Sequence, residues 1–186
     1  MVSQLKVNEI IKQSGSSITI GEAGDTVSGP FTNVPAFRAG LTSDQGNIAN
    51  NTLTVIQINS KDFDTGVCYN NTGSTVTLNG ISTPAYSFAP NIAGKYFFQC
   101  QTRCSDDANW DDNQISILKN GSTELVKFNF DQNYYNTGTC SVIVEMNGTS
   151  DYVTGYFKHV RGGTIGISGN SDKSFTYFMG YRMIGA

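Results

Sequence analysis

The sequence predicts an all-β domain of the sandwich or barrel type, and three observations carry that expectation. Gly, Asn, Ser and Thr make up 75 of the 186 residues, and all four cost helix stability. Aromatic residues reach 11%, with nine Tyr and eleven Phe, so a chain poor in helix formers still has apolar area to bury. Short apolar–polar alternations recur roughly every ten residues between Gly, Asn, Asp and Pro turn signals. The length suits one domain with a short appendage.

Along the chain, residues 1–33 read as an arm and linker, and residues 34–186 as the head. Between Gln4 and Lys12 the apolar residues Leu5, Val7, Ile10 and Ile11 mix strand and helix spacing. Ser14-Gly15-Ser16-Ser17 breaks the pattern, Ile18-Thr19-Ile20 alternates, and 21–30 is rich in Gly, Asp and Ser. This segment has no core of its own, so its order must come from a partner or from copies of itself. In the head, Phe37 to Leu41 is the first expected strand. Leu53 to Ile58 is the next, followed by a turn through Asn59-Ser60-Lys61-Asp62. Val76-Thr77-Leu78, Tyr86-Ser87-Phe88 and Lys95 to Cys100 alternate in turn. Gln114 to Leu118 enters the turn Lys119-Asn120-Gly121-Ser122, whose Asn-Gly pair suits two positive φ angles, and Glu124 to Phe130 leaves it. Cys140 to Met146, Tyr152 to Phe157, Gly163 to Ser168 and Ser174 to Ile184 complete the set.

Charge excludes several functions. Twelve Lys and Arg stand against fifteen Asp and Glu, for a net charge of −3, and the basic residues are scattered. A phosphate backbone needs a basic face, so nucleic acid is not an expected partner. No apolar run is long enough for a membrane-spanning helix, and the first twenty residues have no signal-type apolar core. Cys68, Cys100, Cys104 and Cys140 lack paired C-x₂-C spacings. Four residues of extended chain span about 13 Å, beyond the roughly 7 Å reach of a disulfide, so Cys100 and Cys104 do not pair in a strand. Free, buried thiols are expected, with one cross-strand bridge as the next alternative and a metal site last.

The catalytic inventory is thin. His159 is the only histidine and reads as a strand-end surface residue between cations. No nucleophile or carboxylate is spaced to work with it, and no enzyme is expected. Two carboxylates hydrolysing a glycan remain the enzymatic alternative. The densest charge is Ser105 to Asn113, read as a polar loop, where Asp106, Asp107, Asp111 and Asp112 are oxygen ligands of the kind Ca²⁺ prefers. The run lacks the Gly and distal Glu of an EF-hand. A solvated acidic loop without a cofactor is the first expectation, and calcium the alternative. Trp110, the only tryptophan, lies in that loop beside Asn109, and Tyr134-Tyr135 in a second polar loop. Aromatics next to Asn and Asp can stack a sugar ring and bond its hydroxyls. Trp110, Asn109, Tyr134 and Tyr135 are therefore candidate ligand contacts, against the alternative that Trp110 covers the end of the sandwich.

Four segments in order resemble the globular head of complement component-one-q, which shares its jelly roll with tumour necrosis factor. They are Pro35-Ala36-Phe37-Arg38-Ala39-Gly40-Leu41-Thr42, the run Phe88-Ala89-Pro90 through Ala93-Gly94-Lys95-Tyr96-Phe97-Phe98, Lys119-Asn120-Gly121, and Ser174-Phe175-Thr176-Tyr177-Phe178-Met179-Gly180-Tyr181. The resemblance covers residues 35–186 and implies a ten-stranded, tumour necrosis factor-like jelly-roll sandwich that forms a homotrimer. The surplus of aromatic residues over what one core needs gives that trimer a physical motive, with Tyr96, Phe98, Phe178 and Tyr181 the rings expected at a threefold interface. Calcium near the trimer apex in this family adds to the case for the acidic run. The turn before Tyr152 is two residues longer than the family's Gly-Asp.

Gln4-Leu5-Lys6-Val7-Asn8-Glu9-Ile10-Ile11 followed by Ser17-Ile18-Thr19-Ile20-Gly21 resembles the leaders of bacteriophage fibre and appendage proteins. That resemblance implies a non-enzymatic virion structural protein, a head or tail fibre or knob assembled in the host cytoplasm and exposed on the particle surface. Leu5, Val7, Ile10 and Ile11 would attach it to other virion proteins, and its trimeric head would bind a host surface glycan or protein. The alternative is a free bacterial lectin-like ligand-binding module. No membrane insertion is expected.

Overall fold

Period-two alternation decides which residues face inward. The computed structural model describes residues 35–105, 110–132 and 136–184, with the backbone alone at 110–111 and 131–132. One antiparallel sheet contains β1 (Ala36–Gly40), β4 (Ser60–Thr65), β8 (Gly94–Arg103), β11 (Thr137–Met146) and β14 (Tyr177–Arg182), in the order β11-β8-β14-β1-β4. A second contains β3 (Thr54–Val55), β9 (Trp110–Lys119), β10 (Thr123–Gln132) and β12 (Val153–Lys158), in the order β10-β9-β12-β3, with β7 (Ser87–Phe88) also on β12. The ten strands of these two sheets form the jelly-roll sandwich. Two ribbons are added to it: β2 (Gln45–Ile48) with β13 (Ile165–Ile167), and β5 (Val76–Leu78) with β6 (Ile81–Thr83).

The core lies between the sheets. On β8, Tyr96, Phe98 and Cys100 are buried, while Lys95, Phe97 and Gln99 point the other way. Phe37 stacks on Tyr69 at 4.7 Å and on Phe88 at 4.6 Å, and Phe98 lies 5.9 Å from Phe178. Ile115, Ile117 and Phe157 close the layer from the second sheet. The expectation that Tyr96, Phe98 and Phe178 line an interface is therefore corrected. All three are fully buried inside one chain, because the sandwich needs these rings to fill its own centre. The four cysteines are free and buried, as expected, with Cys100 directly opposite Cys140.

Two turns position the strands. Asn120 and Gly121 both have positive φ, 54° and 69°, as the Asn-Gly pair predicts. The lengthened turn after β11 is closed from within. Asn147 Oδ1 accepts from the N–H groups of Thr149, Ser150 and Asp151 at 2.9–3.0 Å, and Asp151 Oδ2 accepts from Asn147 N–H at 2.9 Å. Lys119 Nζ pairs with Asp151 at 2.8 Å and ties this turn to the hairpin.

Three further expectations change. The turn expected at Asn59 to Asp62 is the start of edge strand β4, where charged side chains guard an open edge. There Asp62 accepts from Arg38 and Lys173, and Lys61 pairs with Asp64 at 2.9 Å. The strand expected over Leu53 to Ile58 narrows to Thr54–Val55, with Ile56 N–H still donating to the Gly155 carbonyl at 3.0 Å, and Ile56 and Ile58 are core residues. His159 is buried rather than on the surface: its Nε2 is 2.9 Å from the Ile48 carbonyl oxygen, and its ring stacks on Phe157.

Candidate functional site

Strand directions sort the surface into two ends. The chain enters β1 with Ala36 opposite Tyr181, at the level of Phe97 on β8. Strand β8 runs on to Arg103, opposite Thr137, so the β8–β9 and β10–β11 connections lie at the far end. Their stems are joined there: Cys104 N–H donates to the Asn136 carbonyl at 3.2 Å, and Ser168 N–H to that of Arg103 at 2.7 Å.

The outer face of the β11-β8-β14-β1-β4 sheet carries exposed apolar side chains among polar ones. Register places Ile143, Phe97 and Tyr181 side by side across three strands, with the Phe97 and Tyr181 rings 5.4 Å apart. The adjacent row runs Ser141, Gln99, Met179, Arg38, Phe63. Ile143 is 56%, Phe63 48% and Tyr181 36% exposed. The Arg38 guanidinium lies over the Tyr177 ring, 5.0 Å from its centre, and the Tyr177 hydroxyl donates to Gln99 Oε1 at 3.4 Å. Tyr181 is thus the one member of the expected interface set that reaches a surface.

The second sheet carries a polar cleft near its far end. Trp110 opens β9, opposite Gln132, and so belongs to a strand and not to a loop. The hairpin register slips between Phe130 and Gln132, and Asp112 has a φ of 60°. Beyond this bulge, Lys158, Gln114 and Asn129 form one cross-strand row over β12, β9 and β10. With Asp112 and Val160 they line a cleft of about 120 Å³. Gln114 Nε2 donates to Ser116 Oγ at 2.7 Å and to Glu124 Oε1 at 2.8 Å, which fixes the cleft floor.

The remaining expected site residues divide simply. Asp106, Asp107, Asn109, Tyr134, Tyr135, Leu5, Val7, Ile10 and Ile11 lie outside the described residues, and Trp110 and Asp111 are described by backbone alone. Among the described residues, no group of three or more His, Cys, Asp or Glu side chains is placed to hold a metal ion. Sequence reading missed Gln114, Asn129 and Lys158, which meet only through the register.

No family model matches the chain, and no curated protein does. Among solved structures, murine APRIL at pH 5.0 is similar, with a TM-score of 0.52 at 12% identity over 80% of this chain and 99% of that one. The globular domain of zebrafish complement 1qA gives 0.47 at 12% identity, over 80% and 96%. The PRD1 vertex protein P5 gives 0.44 at 14%, over 80% and 94%. The APRIL superposition and the sheet order together define the fold, and the two weaker matches add nothing to it. The described residues have a jelly-roll fold like that of APRIL.

Proposed function

We propose that this chain is a non-enzymatic structural protein of a bacteriophage particle. It is a homotrimer of jelly-roll heads, held to other virion proteins through residues 1–33 and exposed on the particle to meet the host surface. The observation that carries the reading is the apolar outer face formed by Phe63, Phe97, Ile143 and Tyr181. The inner side of that sheet already serves the core, so a second apolar side needs another copy to cover it. The tumour necrosis factor-like fold supports the same assembly. The leader-like run between Gln4 and Gly21 supports the virion assignment. Recognition of a host glycan or protein is assigned to the end remote from the entry of β1, where Asn109, Trp110, Tyr134 and Tyr135 fall in sequence.

Light scattering of the full chain at micromolar concentration, with mass spectrometry of purified particles, tests both parts. A trimer that is present in particles and lost from them on deletion of residues 1–30 is the expected outcome. A stable monomer overturns the assembly. A chain absent from particles favours the free lectin-like module instead.

A further inference from the structure

We propose that the cleft over β12, β9 and β10 binds a single sugar residue bearing an anionic group, of the uronic or sialic acid type. The inference deepens the host-binding reading and rests on it. Several charged side chains elsewhere on this head find partners: Asp62 holds Arg38 and Lys173, Lys61 pairs with Asp64, Lys119 with Asp151, and Lys127 with Glu124. In the cleft, by contrast, the side chains of Lys158, Asp112 and Asn129 have no hydrogen-bond or ion-pair partner among the described residues, although they share one small concavity. Gln114 stands between them, held by Ser116 and Glu124. The cleft therefore offers one ammonium, one carboxylate and one unused amide.

That set matches an acidic sugar. Lys158 suits the anionic group through a charge-assisted bond. The Asp112 carboxylate accepts from ring hydroxyls, and the Asn129 amide both donates and accepts. Val160, 43% exposed, supplies an apolar wall for the C–H face of the ring. A cleft this small suits one ring at a chain end or a branch rather than a long glycan. A single ammonium does not suit a polyphosphate, and its presence beside the one carboxylate disfavours a metal ion.

The test titrates the full-chain protein with glucuronic acid, glucose and N-acetylneuraminic acid, followed by calorimetry and by amide chemical shifts around Gln114. Glucuronic acid and glucose differ only at C6, so the pair isolates the anionic contact. At least one of the two acids should bind about tenfold or more tightly than glucose. Lys158→Gln should bring that acid to the glucose level, and Asp112→Asn should weaken all three sugars, with melting temperatures unchanged. Equal or absent binding of acids and glucose by the folded protein overturns the proposal, as does a preference that survives Lys158→Gln. Adsorption of particles separates this inference from the reading beneath it. If Trp110→Ala reduces adsorption while no acid binds the cleft, the cleft assignment fails and host attachment stands. If acids bind the cleft but neither Trp110→Ala nor Lys158→Gln changes adsorption, host attachment fails and the cleft stands.

Discussion

Phe98→Ala and Tyr181→Ala should fail in opposite ways, because one ring is core and the other lies on the apolar outer face. Phe98 is fully buried, with the rings of Phe88, Tyr96 and Phe178 at 5.7, 6.1 and 5.9 Å. Removing such a ring costs lost burial plus the cavity left behind, about 3–5 kcal/mol. For a domain of this size that lowers the melting temperature by roughly 6–20 °C. Among the described aromatic rings Tyr181 touches only Phe97, and it is already part-exposed. Its truncation should cost the single head about 1 kcal/mol or less. In the proposed trimer the same ring would lie in a shared apolar patch, and losing it should weaken association by about 2–4 kcal/mol, roughly 30- to 1,000-fold. Circular dichroism melts at fixed protomer concentration and sedimentation velocity across a dilution series separate the two effects. Phe98→Ala should melt early, with its association weakened only through unfolding. Tyr181→Ala should dissociate on dilution into folded monomers. A Tyr181→Ala protein that stays trimeric at nanomolar concentration, or a Phe98→Ala protein that melts like wild type, would refute the division between core and outer face.

Three other perturbations follow from the same structure. Burial raises the Asp151 pKa, but hydrogen bonds from Lys119, Asn120 and the Asn147 N–H outweigh it and hold the carboxyl below its usual range. A depressed folded-state pKa stabilises above the unfolded value and stops doing so as pH falls through the folded one. Asp151→Asn should therefore cost about 1.5–3 kcal/mol at pH 7, with the gap to wild type closing as melts are taken below pH 4. Burial, with a lesser contribution from the Glu124 charge, pushes the Cys140 thiol up to about 12, and burial raises Cys100 as well. Ellman's reagent at pH 8 should label none of the four cysteines in the native protein and all four in denaturant. Gly148 has a φ of 73°, and a Cβ there would lie 2.5 Å from the Ala93 nitrogen, so Gly148→Ala should destabilise by about 1–3 kcal/mol in a urea titration.

Local signals made the fold legible. Alternation of Tyr96, Phe98 and Cys100 on β8 and the Asn120-Gly121 turn are properties of neighbouring residues, and the strands they predict are present. What depends on distant pairing was not legible. Strand β4 carries Lys61, Asp62 and Asp64 and reads as a turn until Arg38 and Lys173 come across to hold it. The aromatic surplus pointed to an interface, but two sheets facing each other consume Tyr96, Phe98 and Phe178, and the spare apolar surface falls on Phe63, Phe97 and Ile143. The cleft was hidden by register. Counting back from a two-residue turn puts Lys127 opposite Gln114, whereas the longer turn and the bulge after Glu124 bring Asn129 there instead. Lys158, three strands further along the chain than Gln114, joins them only because β12 pairs directly with β9.

The most direct test of the whole account is a cryo-electron-microscopy map of purified particles at a resolution that separates strands. The account predicts threefold density of jelly-roll heads, with the β11-β8-β14-β1-β4 sheets turned toward the axis and the β8–β9 and β10–β11 connections pointing away from the particle. Heads present as isolated monomers, or density with those connections buried against the particle, would contradict it.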